Sequence, residues 1–206
     1  MTVRSLLHRT DPYAGFEPLP GHVQGWGSDH PIFVEMIRQT NPSAIVEVGT
    51  WLGASALHMA GLCGAEIVCV DTWLGSKEMW DNFGDSRHDQ LQLRHGYPQL
   101  YYQFLSNVVH AGKQGQITPC PLPSLIAARL LLEKGARFDL CYIDASHDEE
   151  DVLADIAAWL PLLRPGGVLF GDDLDWPSVD AAITRCPHHV ERMGRYWKIA
   201  APPGCF

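Results

Sequence analysis

The 206-residue chain predicts an α/β fold: a doubly wound, mostly parallel sheet of seven strands with an antiparallel hairpin strand at its C-terminal end. Two observations predict it. From residue 44 onward, short apolar runs alternate with amphipathic segments of helical length, the pattern of right-handed βαβ crossovers. And 206 residues with a 46% hydrophobic fraction suffice for one core without disulfide or metal staples.

Taken in order, residues 1–27 are rich in Gly, Pro and aromatics and read as a loosely structured lead-in to a domain spanning 28–206. "SDHPIFVEMIRQT" predicts a helix: Ser28 or Asp29 can cap it, Pro31 suits its first turn, and Ile32, Met36 and Ile37 share a face. "AIVEVG" (44–49) is the first strand and "ASALHMAGLC" the helix after it. "EIVCVD" (66–71) is the second strand, followed by a long insertion, residues 74–97. "PQLYYQFLSNVVHAG" is a helix that ends at a glycine, "QITPCPL" (116–122) the third strand, and "SLIAARLLLEKG" a helix. "FDLCYIDA" (138–145) is the fourth strand, "DEEDVLADIAAWLPLL" a helix and "GGVLFGDD" (166–173) the fifth strand. A short helix, "WPSVDAAITRC", precedes two last strands, "HHVERM" and "RYWKIA".

Charge narrows the partners. A formal net charge of −9 with no basic run argues against a nucleic-acid backbone. The N-terminus has no long apolar segment, so neither a secretory signal nor a membrane span is expected. Six cysteines (Cys63, Cys69, Cys120, Cys141, Cys186 and Cys205) include no CxxC pair, which disfavours zinc. Free thiols in apolar strands fit a reducing cytosol, so a cytoplasmic protein is expected.

In parallel sheets ligands gather beyond the carboxyl ends of the strands. The first strand ends in "VEVGTWLGASA", where Gly49 and Gly53 bracket a tight turn that opens a helix. The spacing is GxxxG, not the GxGxxG of dinucleotide sites. Glu47 would repel a diphosphate and suits a ligand with a cationic amino group. Asp71 ends the second strand, where a carboxylate can accept both hydroxyls of a ribose; capping a helix or a turn is the alternative. Together these features fit an adenosine-bearing ligand without phosphates, such as S-adenosylmethionine.

The fourth strand ends "YIDASHDEED". Ser146 and Glu149 have capping-box spacing, and the acids that follow load a helix N-terminus. That leaves Asp144 and His147 unexplained. "VLFGDDLDW" then places Asp172, Asp173 and Asp175 at the end of a core strand. Asp144, Asp172 and Asp173 converging on one spot repel, unless a divalent cation is shared among them; all-oxygen ligands favour Mg²⁺. Adjacent strand residues face opposite ways, so Asp172 and Asp173 can act together only where the strand has ended or bent. Otherwise one of the two caps the following helix and no metal binds. Asp175 is expected to cap the helix near Trp176.

These residues resemble a class I S-adenosylmethionine-dependent methyltransferase, with its Rossmann-like sheet. More narrowly they are similar to the small metal-dependent O-methyltransferases: the catechol and caffeoyl-CoA enzymes and the macrocin-type bacterial ones. The resemblance implies methyl transfer from S-adenosylmethionine to a hydroxyl of a small molecule (a sugar, catechol or natural product). It assigns Glu47, Gly49, Thr50, Trp51, Gly53, Ser55, Asp71, Thr72, Ser124 and Asp144 to the cofactor, with Leu122 beside Ser124 near the adenine. It assigns Asp144, Asp172 and Asp173 to Mg²⁺. His147 stands where catechol-type enzymes carry a lysine base, and is the candidate base together with Asp144; a solvated first-turn histidine is the alternative. The insertion 74–97, with Trp80, Phe83, His88 and His95, is either a substrate lid or a surface loop. The implied partners are a small-molecule acceptor and a second copy of the chain, with no nucleic acid and no membrane. Other readings are a metal-independent methyltransferase, a nicotinamide-dependent dehydrogenase, and a non-catalytic module that binds an adenosine ligand.

Overall fold

The computed structural model describes residues 2–81 and 86–201. Its centre is β1 (Ala44–Val48), with every residue buried, as a strand covered on both faces must be. Val46 and Val48 face one apolar layer, and Ile45 faces the other. On one side β1 pairs in parallel with β2 (Glu66–Val70), which pairs with β3 (Ile117–Cys120). On the other it pairs with β4 (Phe138–Ile143), and β4 with β5 (Leu163–Gly171). A hairpin of β6 (Glu191–Met193) and β7 (Tyr196–Ala200) completes the seven-stranded sheet, β7 lying antiparallel to β5. The order is β3-β2-β1-β4-β5-β7-β6. The direction of winding therefore reverses between β1 and β4, and a crevice opens there beyond the strand ends.

The first helix is α1 (Val3–Leu7). On one face of the sheet pack α2 (Ile32–Thr40) and α3 (Ala54–Leu62). The insertion contributes α4 (Lys77–Asp81) and α5 (Ser86–Asp89), and α6 (Leu100–His110) joins α2 and α3. The other face carries α7 (Ser124–Glu133), α8 (Glu149–Trp159) and α9 (Pro177–Arg185). No helix among the described residues is long and apolar enough to cross a membrane. Cys69, Cys120 and Cys141 are free and buried, as expected; Cys205 lies outside the described residues.

Three local expectations are corrected. Neither Ser28 nor Asp29 caps α2: Pro31 occupies the cap position, and His30 Nδ1 accepts the Ile32 amide at 3.1 Å. Asp175 caps nothing, because Trp176 is the residue ahead of α9 and makes no side-chain cap. The lead-in is tied down. Glu66 accepts the amides of Val3 and Arg4 at 2.9 and 2.7 Å, and Tyr13 donates its hydroxyl to the Ile117 carbonyl at 3.1 Å. Residues 19–22 then lie along α6, whose Ser106, Gln103 and Asn107 side chains bond Leu19 N, Pro20 O and both backbone groups of His22 at 2.8–2.9 Å. Those partners lie 62–104 residues away in sequence, so local composition carried no sign of them.

Candidate active site

A cleft of about 830 Å³ runs across the carboxyl ends of β1, β2, β4 and β5. Its floor is the turn after β1. A Cβ on Gly49 would stand 1.9 Å from the Asp144 carbonyl oxygen, and its φ is +86°, so only glycine lets the turn lie against the end of β4. Asp71 holds the turn's shape. One of its oxygens accepts the amides of Thr50 and Trp51 at 3.0 and 2.8 Å, and the other accepts Trp73 N at 2.7 Å. Trp51 and Trp73 both sit in the left-handed region (φ 51° and 53°), conformations that one carboxylate stabilises from either side. The turn-capping role of Asp71 is thus realised, and the residue also lines the cleft.

Glu47 lies beneath this floor. It is fully buried, accepts from Thr50 Oγ1 at 3.1 Å and from Ser55 Oγ, and is not among the residues on the cleft wall. Burial pushes its carboxyl up to about 8. Gly53, at the start of α3, packs on Phe104 and is also off the wall. Thr50, Trp51, Ser55, Thr72 and Leu122 line the cleft. So does Ser124, whose hydroxyl donates to Asp155 and accepts the Trp159 indole N–H at 2.9 Å.

The acids stand just past the strands. β4 ends at Ile143 and β5 at Gly171, so Asp144, Asp172 and Asp173 begin the loops. Asp173 adopts φ 67°, and this left-handed step brings it to the same side as Asp172. One guanidinium binds both: Arg195 Nε to Asp172 Oδ1 at 2.6 Å and Nη2 to Asp173 Oδ1 at 2.7 Å. His147 Nε2 lies 2.9 Å from the other Asp173 oxygen and stacks on Trp176, ring centroids 4.2 Å apart and 9° from parallel.

Burial, then the nearby Asp173 and Asp172 charges, push the Asp144 carboxyl up to about 7, although it accepts from Tyr142 Oη at 2.9 Å. Burial likewise raises Asp172 against the opposing pull of Arg195. For Asp173, burial is outweighed by His147 and Arg195, which hold it below the usual range. The hydrogen bond to Asp173 raises His147.

The group whose ligand atoms come together is Asp144, His147 and Asp173, all within 4.8 Å of one another. It shares Asp144 and Asp173 with the expected trio and has His147 in place of Asp172. The two carboxylates, partly buried beside like charge, fit a divalent cation, and His147 beside them can accept a proton. The capping box also shifts: Asp148 precedes α8, and Ser146 Oγ donates to Asp151 at 2.7 Å.

The insertion lines the cleft through Lys77, Glu78, Met79, Arg87 and Gln90, and its Met79 and Leu91 are buried in the core. Trp80 donates to Leu74 O at 2.8 Å, and His88 Nδ1 lies 3.0 Å from Met79 O. His95 is exposed in a left-handed turn, and Phe83 lies outside the described residues. Three contributors had no anticipated place. Arg195 sits in the hairpin turn, and only the pairing of β7 with β5 reveals its position. Gln24 and Trp26 reach the wall from the lead-in, Gln24 Oε1 taking the Trp51 indole N–H at 2.5 Å; the one sequence signal was a tryptophan framed by glycines.

Comparison with known proteins bears on the fold. The profile of the family described as "Methyltransferase domain" matches residues 46–174, more than half of the chain. No curated protein matches. Among solved structures, an O-methyltransferase from Bacillus cereus in complex with SAH superposes with a TM-score of 0.59 at 16% identity, covering 91% of this chain and 86% of that one. The O-methyltransferase TomG from Streptomyces achromogenes, in complex with SAM, gives 0.59 at 16% over 90% and 84%. The calicheamicin methyltransferase CalS11 gives 0.57 at 20% over 82% and 77%. At such identities these likenesses establish the fold. The matched segment runs from the buried strand β1 past the acids that follow β5, and on that match the chain belongs to the methyltransferase-domain family.

Proposed function

We propose that the chain transfers a methyl group from S-adenosylmethionine to a hydroxyl of a small molecule at the cleft where Asp144, His147 and Asp173 meet. The observation that carries this reading is that juxtaposition, in one cleft with the Gly49 turn and Asp71. The bound cofactors and O-methyltransferase names of the similar structures support it.

The residues divide the work by position. The turn at Gly49–Trp51 offers a surface that lets a ligand approach the backbone, and Asp71 beside it is the acceptor offered to a ribose. The sulfonium carbon is already electrophilic, so the protein must chiefly orient the acceptor and remove its proton. His147 is the base in this reading. Its ring is fixed by stacking on Trp176, and Asp173 Oδ2 holds Nε2, an arrangement that stabilises the imidazolium formed on proton uptake. A divalent cation, when bound, would be held by Asp144 and Asp173 and would favour the anionic form of the acceptor oxygen. Met79, Trp26 and Trp176 add apolar surface to the cleft wall.

A second reading, methyl transfer without a metal, is favoured by one observation: Arg195 already supplies positive charge to Asp172 and Asp173. Calorimetric titration with S-adenosylhomocysteine, followed by methyl-transfer assays across a panel of hydroxylated acceptors with and without chelator, tests both. Binding and chelator-sensitive turnover support the metal-assisted reading. Undiminished turnover in chelator selects the second, and absence of binding removes both.

A further inference from the structure

Asp155 is a buried carboxyl that the methyl-transfer mechanism leaves unused. It projects from α8 one helical turn before Trp159, so the two side chains leave the same face. Both end on a single atom, the hydroxyl oxygen of Ser124, which stands on the cleft wall. A serine hydroxyl has one proton and two lone pairs. Asp155 takes the proton. The Trp159 indole, which can only donate, takes one lone pair. What Ser124 has left is one acceptor position and no donor. Asp155 is 5% exposed and Trp159 fully buried, so neither exchanges its partner for water. Burial raises the Asp155 carboxyl to about 6, which leaves it ionised, and so purely an acceptor, at neutral pH.

Resting on the S-adenosylmethionine reading above, we propose that Asp155 is a positioning residue that fixes Ser124 as a hydrogen-bond acceptor toward the cleft, selecting the 6-amino group of an adenine base against a 6-oxo base. The 6-amino group donates and meets the open lone pair. A hypoxanthine carbonyl meets a second acceptor and is repelled. The device reads one atom of the base by controlling the direction of one proton.

The test compares the dissociation constants of S-adenosylhomocysteine and S-inosylhomocysteine by calorimetry, in the wild type and in Ser124→Ala, Asp155→Asn, Asp155→Leu and Asp155→Ala. The wild type is expected to prefer the adenosine ligand. Asp155→Leu and Ser124→Ala should each shrink that preference by about 5- to 10-fold, the size of one neutral hydrogen bond. Asp155→Asn, whose amide oxygen can still accept the Ser124 proton, should keep most of it. This rescue separates polarity control from simple packing, and Asp155→Ala carries the comparison if leucine at that position prevents folding. An unchanged preference on removing the Asp155 acceptor overturns the proposal, as does equal wild-type affinity for the two ligands; in either case the S-adenosylmethionine reading stands. A wild type that binds neither ligand overturns both.

Discussion

Asp173 decides how the acids at the end of β5 share space. An extended residue there would point away from Asp172; its φ of 67° turns the carboxylate back, and Arg195 then bridges the pair. Removing the guanidinium leaves Asp172, 5% exposed, as a buried unpaired charge. The loss is smaller than for a fully buried pair because Arg195 is itself partly solvated. Arg195→Ala should therefore lower unfolding stability by about 1–2 kcal/mol, read by urea denaturation at neutral pH. Asp144 bears on the chemistry more directly. Asp144→Asn keeps its volume but removes the charge that would hold a cation and face the acceptor, and should cut methyl transfer by about 100-fold or more while the chain stays folded. A near-normal rate with a confirmed acceptor would remove Asp144 from the machinery. His147→Ala should slow turnover at neutral pH and leave S-adenosylhomocysteine affinity nearly unchanged in the same calorimetric experiment.

At the scale of elements, the cleft exists because the turn after β1 lies directly on the end of β4. Gly49→Ala meets both a left-handed φ and a Cβ 1.9 Å from Asp144 O, and should destabilise the fold by roughly 2–4 kcal/mol, measured as a shift in the urea midpoint. The polar row on α6 holds the lead-in. Asn107→Ala should strip hydrogen-exchange protection from the amide of His22, which it accepts at 2.9 Å, and leave β1 protected. Much of this was legible in the sequence. Apolar runs marked β1, β2, β4 and β5 and a weaker one marked β3, glycines marked the first turn, and Asp144 and Asp173 stood out as acids at strand ends. What was not legible depended on register and distant partners. Glu47 shares a sheet face with Cys69 and Tyr142, its neighbours in register, so it faces the interior where the motif alone suggested a ligand. Arg195 reaches the acids only because a hairpin folds back on β5. Asp172 and Asp173 were read as equals, yet the turn between them gives one to Arg195 and shares the other with His147.

For the whole molecule, buried carboxyls set a pH dependence. Glu47, pushed up to about 8, and Asp155, to about 6, keep their protons in the folded protein at pH values where the unfolded chain has released them. Their contribution is fully present below the ordinary carboxyl pKa and is lost as pH rises, through about 6 for Asp155 and about 8 for Glu47. The melting temperature should accordingly fall between pH 5 and 8, and Glu47→Gln should flatten the upper part of that fall; a parallel profile in the variant would assign the slope elsewhere. The fold that buries these groups also collects the Gly49 turn, Asp71, Asp144 and Asp173 at one crevice, where the proposed methyl donor would bind. A crystal structure with S-adenosylhomocysteine tests this most directly. The nucleoside should lie against the Gly49–Trp51 turn, with its ribose at Asp71 and its sulfur facing Asp144 and His147. A ligand bound outside the cleft, or lying in it with the sulfur turned away from those two residues, would contradict it.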